Sequence, residues 1–255
     1  MAYQPTPHLL ALGAGAEHRV LLPMPGAGAA AREARDVEKI RALLRRTEPV
    51  RWVFAGDSIT HGAAHTVGWR DYTELFGERV RWELRRTRDI VVKTGISGWT
   101  VADLASELEW AVLQFRPDCA SLMFGMNDCV KGPEGLATFR SIYLRAIERI
   151  REETGALVFV HTPNWTLPTG GAERVASLPA YREAIREIAA AAGVPCLDHF
   201  PEWTAAEGAG SMHHWLAHGC HPNEYGHRVL AHALFRELGI WDEASWTCQL
   251  TVPRY

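Results

Sequence analysis

No run of about 18 consecutive apolar residues occurs in this 255-residue chain, so nothing in it is expected to span a membrane. Its first 20 residues have neither a positively charged start nor a long apolar run, the two parts of a secretory signal. The expected compartment is therefore the cytoplasm. Charge of one sign is lacking too: 27 Lys and Arg stand against 30 Asp and Glu, a formal net charge of −3. That leaves no basic field for nucleic acid or an anionic lipid surface, and neither is expected as a partner. The five cysteines, Cys119, Cys129, Cys196, Cys220 and Cys248, are odd in number, irregularly spaced and free of any CxxC pair, which points to free thiols rather than a zinc or thioredoxin-like centre. Repeats and low-complexity tracts are absent apart from a short Ala/Gly connector from Gly26 to Ala31. What remains, 47% hydrophobic and 22% charged, is the composition of an ordinary globular protein.

The clearest rhythm begins near residue 50. Val50 to Ala55 is a short apolar run that stops at Gly56-Asp57-Ser58, as a buried strand entering a loop does. From Trp69 to Arg86 the apolar residues Tyr72, Leu75, Phe76, Val80 and Leu84 recur every three or four positions, which predicts an amphipathic helix. The alternation continues with strands at 90–92, 120–124, 157–160 and 194–197, and helices at 101–115, 134–153, 180–192 and 224–238, the last with Pro222 at its start. Strands separated by helices imply parallel pairing through right-handed crossovers, hence a doubly wound, three-layer α/β/α domain with about five parallel strands. The expected organisation is an N-terminal extension over 1–49, with an extended segment near Arg19 to Pro23 and a helix from Ala30 to Arg46, a core domain over 50–241 and a tail over 242–255.

In such sheets the ligand lies beyond the carboxyl ends of the strands. The first three predicted strands end in Gly56-Asp57-Ser58-Ile59-Thr60, Gly95-Ile96-Ser97-Gly98 and Gly125-Met126-Asn127-Asp128, and His218-Gly219-Cys220-His221-Pro222-Asn223 precedes the last helix. A serine at a strand tip, an imidazole at the same edge, a glycine N–H and an asparagine amide are the parts of acyl transfer: nucleophile, general base and oxyanion donors.

These four blocks, GDSIT, GISG, GMND and HPNEYGH, resemble those of the SGNH (GDSL-type) hydrolases, in that family's order and over roughly residues 51–240. The resemblance implies the flavodoxin-like fold of that family. It makes Ser58 the nucleophile and its own N–H an oxyanion donor, with Gly98 N–H and the Asn127 amide as the others and His221 as the base. It implies a small acyl ester as substrate, with no cofactor and no metal. An esterase is the first reading, an acyltransferase through the same acyl-enzyme the second, and a binding protein on a hydrolase scaffold the third.

One position departs from the pattern. The family carries Asp three residues before the catalytic histidine, and this chain has His218 there. An imidazole cannot stabilise an imidazolium as a carboxylate does, so the main-chain carbonyl of His218 is the favoured partner for His221, with Asp198 and Glu224 as alternatives. The histidines of 213–221 and a Cys129–Cys220 disulfide are weaker suggestions of metal or redox chemistry. His61 reads as solvated and His227 as structural. Trp69, Trp99, Met126, Trp165 and Trp215 are candidate pocket walls, Trp52 and Trp82 read as core or helix-face residues, and Thr162 to Gly171 reads as a candidate lid.

Overall fold

The computed structural model describes residues 27–252, with side chains from Asp36 onward; the expected segment at 19–23 lies outside them. Helix α1 spans Ala27–Arg45. Strand β1, Arg51–Gly56, follows and is buried from Trp52 onward. It runs into a single helical turn, α2, Ser58–His61, and then α3, Tyr72–Glu78, which continues as π-helix over Arg79–Glu83. The helix expected from Trp69 starts at Tyr72 because Asp71 caps it. Its carboxylate accepts from Thr73 and Glu74 N–H while the Glu74 side chain accepts from Asp71 N–H, a capping box that fixes where the helix begins.

Strand β2, Ile90–Lys93, leads to α4, Val101–Ser106, and α5, Leu108–Ala111, so the helix expected over 101–115 is two short pieces that end in a 3-10 turn at Leu113–Phe115. Then come β3, Cys119–Met123, α6, Leu136–Thr154, and β4, Leu157–His161. Helix α7 covers Ala172–Ala192, passing through Pro179. The helix expected from Ala180 thus begins earlier, and Pro179 is tolerated within it because it is exposed, where water can satisfy the carbonyl that loses its partner. Strand β5, Cys196–Leu197, α8, Phe200–Gly208, a two-stranded antiparallel ribbon of β6, Leu216–His218, and β7, His221–Pro222, and α9, Glu224–Glu237, complete the chain. Asn223, not Pro222, caps α9, accepting from the N–H groups of Tyr225 and Gly226.

The main sheet has five parallel strands in the order β2-β1-β3-β4-β5, the doubly wound arrangement expected. Helices α3 and α9 pack together, as do α4, α6 and α7. The rings of Trp52 and Phe54 on β1 meet Phe76 and Tyr72 of α3, while Tyr143 of α6 reaches the Leu122 carbonyl of β3. Both sides of the sheet are therefore sealed, and buried strands can be apolar throughout. The order reverses between β1 and β3, and the loops leaving these two strands open a crevice at that switch point. No helix among the described residues is long and apolar enough to cross a membrane.

Candidate active site

Ser58 is the first residue of α2, directly after β1. Asp57 caps that turn by accepting from Ile59 N–H, which holds the serine at a strand tip with its Oγ aimed along the crevice. The other half of the pair comes from the β6–β7 ribbon: Ser58 Oγ lies 2.8 Å from His221 Nε2. The serine can therefore donate its proton to Nε2, provided the opposite ring nitrogen carries the imidazole hydrogen.

That opposite nitrogen, Nδ1, is met by the side chain of His218. Nε2 of His218 stands 3.0 Å from it, with Cys220 Sγ at 3.5 Å. The sequence favours the carbonyl of His218 as partner, but the ring takes that place instead. Residues 218 and 221 face each other across the ribbon, and this pairing brings their side chains together. Asp198 is engaged elsewhere, paired with Arg182 and accepting from Thr162 Oγ1 and Phe200 N–H. Glu224 stands in the first turn of α9.

A third imidazole completes the cluster. His65, in the loop between α2 and α3, stacks flat on His221 with ring centroids 3.7 Å apart and planes 13° apart, and meets His218 edge-on at 4.9 Å. Burial first, then the neighbouring His65 and His218, push the His221 pKa down to about 3; burial and His218 lower that of His65 as well. His221 is thus held neutral, the form a general base needs. Ring nitrogens of His65, His218 and His221 lie within 4.8 Å of one another. Because lone pairs lie in the ring plane, the stacked His65 and His221 could share one ion only if a ring turned.

The expected oxyanion donors Gly98 and Asn127 lie on two loops. Gly98, after β2, has φ +86°, a backbone that favours glycine, and open space where a side chain would be. Among the described residues, neither its N–H nor that of Ser58 has an acceptor. Asn127, after β3, donates from Nδ2 to the Trp99 carbonyl at 3.0 Å, which ties the two loops together and leaves the second amide hydrogen for a ligand. Beneath it, Asp128 is anchored by the N–H groups of Val101 and Gly125. Burial raises its pKa to about 6 and that of the fully buried Asp57 to about 7.

Arg174 of α7 carries no signal in the sequence, yet it grips this corner. It donates from Nε to the Met126 carbonyl at 3.2 Å and from its guanidinium to the Gly170 carbonyl at 2.9 Å and Asn127 Oδ1 at 3.4 Å. The last contact turns the amide oxygen away so that Nδ2 faces the crevice. His65 is equally silent in the sequence, being a lone histidine in a loop of no recognisable motif.

The expected lid is a brace. Thr166 Oγ1 and Leu167 N–H both donate to the Gly219 carbonyl, at 2.9 and 2.8 Å, and Asn164 Nδ2 to the Cys220 carbonyl at 3.1 Å. Gly219 packs so closely that a Cβ on it would lie 2.2 Å from Gly170 N. The segment from Thr162 to Gly171 therefore fixes the ribbon that carries His218 and His221. His61 contacts Ser97 Oγ at 3.1 Å and His227 is buried behind α3, near Tyr72 N–H. All five cysteines are free thiols. Trp52 is in the core, but Trp82 is 62% exposed.

A parallel α/β/α sheet carrying a serine–histidine pair at its carboxyl edge has the arrangement of a serine hydrolase. A family profile described as the GDSL-like Lipase/Acylhydrolase family matches residues 54–229, and the chain belongs to that family. Similar solved structures include an acetylxylan esterase from Geobacillus stearothermophilus, with 22% identity, a TM-score of 0.62, and 74% of this chain and 94% of that one covered. Another is LAE5, an alpha/beta hydrolase enzyme from the metagenome of Lake Arreo, Spain, also with 22% identity and a TM-score of 0.62, covering 77% and 98%. At such identity the likeness is one of fold. Structures of the Geobacillus esterase include catalytic mutants of a serine, a histidine and an aspartate. A search of curated proteins gave no match.

Proposed function

We propose that this protein is a serine esterase that removes a short acyl group, acetyl or little longer, from a carbohydrate or small metabolite. The observation that carries this reading is the 2.8 Å approach of Ser58 Oγ to His221 Nε2. In the first half-reaction Ser58 Oγ attacks the ester carbonyl carbon as its proton passes to His221 Nε2. The N–H groups of Ser58 and Gly98 and the Asn127 amide receive the developing oxyanion. Collapse expels the alcohol, which takes the proton from His221 and leaves an acyl-serine. Water then attacks with His221 again as base, and the carboxylic acid departs with Ser58 restored.

His218 is the third member of this arrangement. If His221 carries its hydrogen on Nδ1, His218 Nε2 accepts it at 3.0 Å and fixes the tautomer that serine needs. A neutral imidazole brings no negative charge to the imidazolium formed on attack, and the stacked His65 disfavours that charge as well, so lowering the barrier falls to the oxyanion donors. Each such donor is worth roughly 3 kcal/mol of barrier.

The replacement of aspartate by histidine is also the observation that favours a second reading, a ligand-binding protein on a hydrolase scaffold. Turnover of p-nitrophenyl acetate, butyrate and octanoate separates them. The esterase reading expects hydrolysis that is fastest on the shorter esters, abolished in Ser58→Ala and cut about 100-fold in Asn127→Ala. Absence of hydrolysis in the wild type overturns it.

A further inference from the structure

Directly beside the oxyanion loop lies an open cleft of about 410 Å³ lined by Trp99, Asp103, Ser106, Glu107 and Trp110. Trp99 follows Gly98 in the chain, and its carbonyl is the group that Asn127 holds, so one wall of the cleft is continuous with the catalytic machinery. The two indoles meet edge to face, with centroids 5.9 Å apart and planes 68° apart. Trp110 is 46% exposed although large and apolar, and the core gains little from it there.

We propose that this cleft is a glycan subsite: it takes a sugar ring of an oligosaccharide whose acylated ring lies at Ser58. The proposal rests on the esterase reading and names its substrate class. A pyranose presents an apolar C–H face and a rim of hydroxyl donors. An indole face matches the first, and acceptors on the neighbouring helix turns match the second. Asp103, Ser106 and Glu107 supply those acceptors from one stretch of α4 and its junction with α5. A fatty acyl chain fits worse, because carboxylates line the walls that it would have to dry. Asp103 is fixed in place through Oδ2, which accepts from Thr100 N–H and Oγ1 at 2.8 and 2.6 Å, and Oδ1 is left for a sugar hydroxyl. An organic cation would also suit tryptophan and carboxylate, and tetramethylammonium is the probe that separates it from a sugar.

Binding is tested on full-length Ser58→Ala protein, titrated by calorimetry with unacetylated xylotetraose, cellotetraose and mannotetraose. The subsite predicts saturable binding of at least one tetraose, weakened about ten-fold or more when Trp110→Ala is added and largely kept with Trp110→Phe. In the Ser58 enzyme, Trp110→Ala should lower the ratio of kcat/KM on acetylated xylo-oligosaccharide to that on p-nitrophenyl acetate by a similar factor. Binding of none of the three, binding indifferent to Trp110→Ala, or preferential binding of tetramethylammonium overturns the proposal. So does a Trp110→Ala protein that changes oligomeric state, since the indole would then be covered by a second copy. Wild-type turnover of p-nitrophenyl acetate without any tetraose binding defeats the subsite alone, whereas no turnover of that ester defeats the esterase reading.

Discussion

His218 stands where a carboxylate is expected, and two consequences can be measured. Aspartate at this position would favour the protonated ring of His221, whereas the neighbouring imidazoles oppose it. The acid limb of kcat/KM in the wild type should therefore fall well below pH 6.5, the value of a free imidazole. His218→Asp should move that limb upward and raise the plateau rate. A limb near 6.5 that does not respond to His218→Asp would contradict the geometry. Asp57 makes a separate case. Its carboxyl is fully buried, Oδ2 has no partner, and burial lifts its pKa to about 7. The folded state thus keeps a proton that the unfolded chain releases near pH 4, so this contribution to stability is present in acid and is lost as the pH rises through about 7. Asp57→Asn removes the dependence. Its melting temperature relative to wild type should be higher at pH 8 than at pH 5, and a pH-independent difference would refute the assignment. Ser58, Gly98 and Asn127 are readable in the sequence because each sits in a short block that ends a strand. Arg174 and His65 are not: Arg174 grips the Gly170 carbonyl four residues back together with the Met126 carbonyl and the Asn127 amide 48 and 47 residues back, and His65 acts through a ring face.

Among the elements, the brace over 162–171 shows how composition misleads. Its threonines, prolines and glycines are those of a mobile loop, but the same small and hydroxylated side chains allow the backbone approach and the hydrogen bonds that hold the β6–β7 ribbon. Gly219→Ala would drive a methyl into Gly170 and displace His221. Turnover should then slow by about 100-fold or more while a cooperative melt is retained, and a rate within about two-fold of wild type would show the ribbon to be yielding. Helix α7 has a similar lesson. Pro179 hides its first two turns, including Arg174, because the rule that proline ends a helix has no knowledge of which face is wet. The five strands of the main sheet and α6 are plain from their patterns, whereas the short β6–β7 ribbon has no alternating run to show it and the break of the helix after β2 into α4 and α5 leaves no proline or glycine to mark it.

For the whole molecule, the sheet order puts the loops of β1 and β3 on either side of the switch point, and the four sequence blocks meet there without any one being diagnostic alone. Helix α1 joins this body: Ile40 is 1% exposed within the main apolar cluster, and Arg41 donates to the Glu237 carbonyl at the end of α9. Ile40→Ala should therefore lower global stability by about 2–5 kcal/mol in denaturant without changing the m-value. A second, separate transition would instead mark α1 as an independent unit. The central claim, that Ser58 is an activated nucleophile although its histidine leans on another histidine, is tested most directly by intact and peptide mass spectrometry after exposure to a fluorophosphonate. One adduct on the peptide carrying Ser58, absent from Ser58→Ala and suppressed by His221→Ala, is the result this account predicts. An unmodified wild-type protein, or an adduct that survives Ser58→Ala, would contradict it.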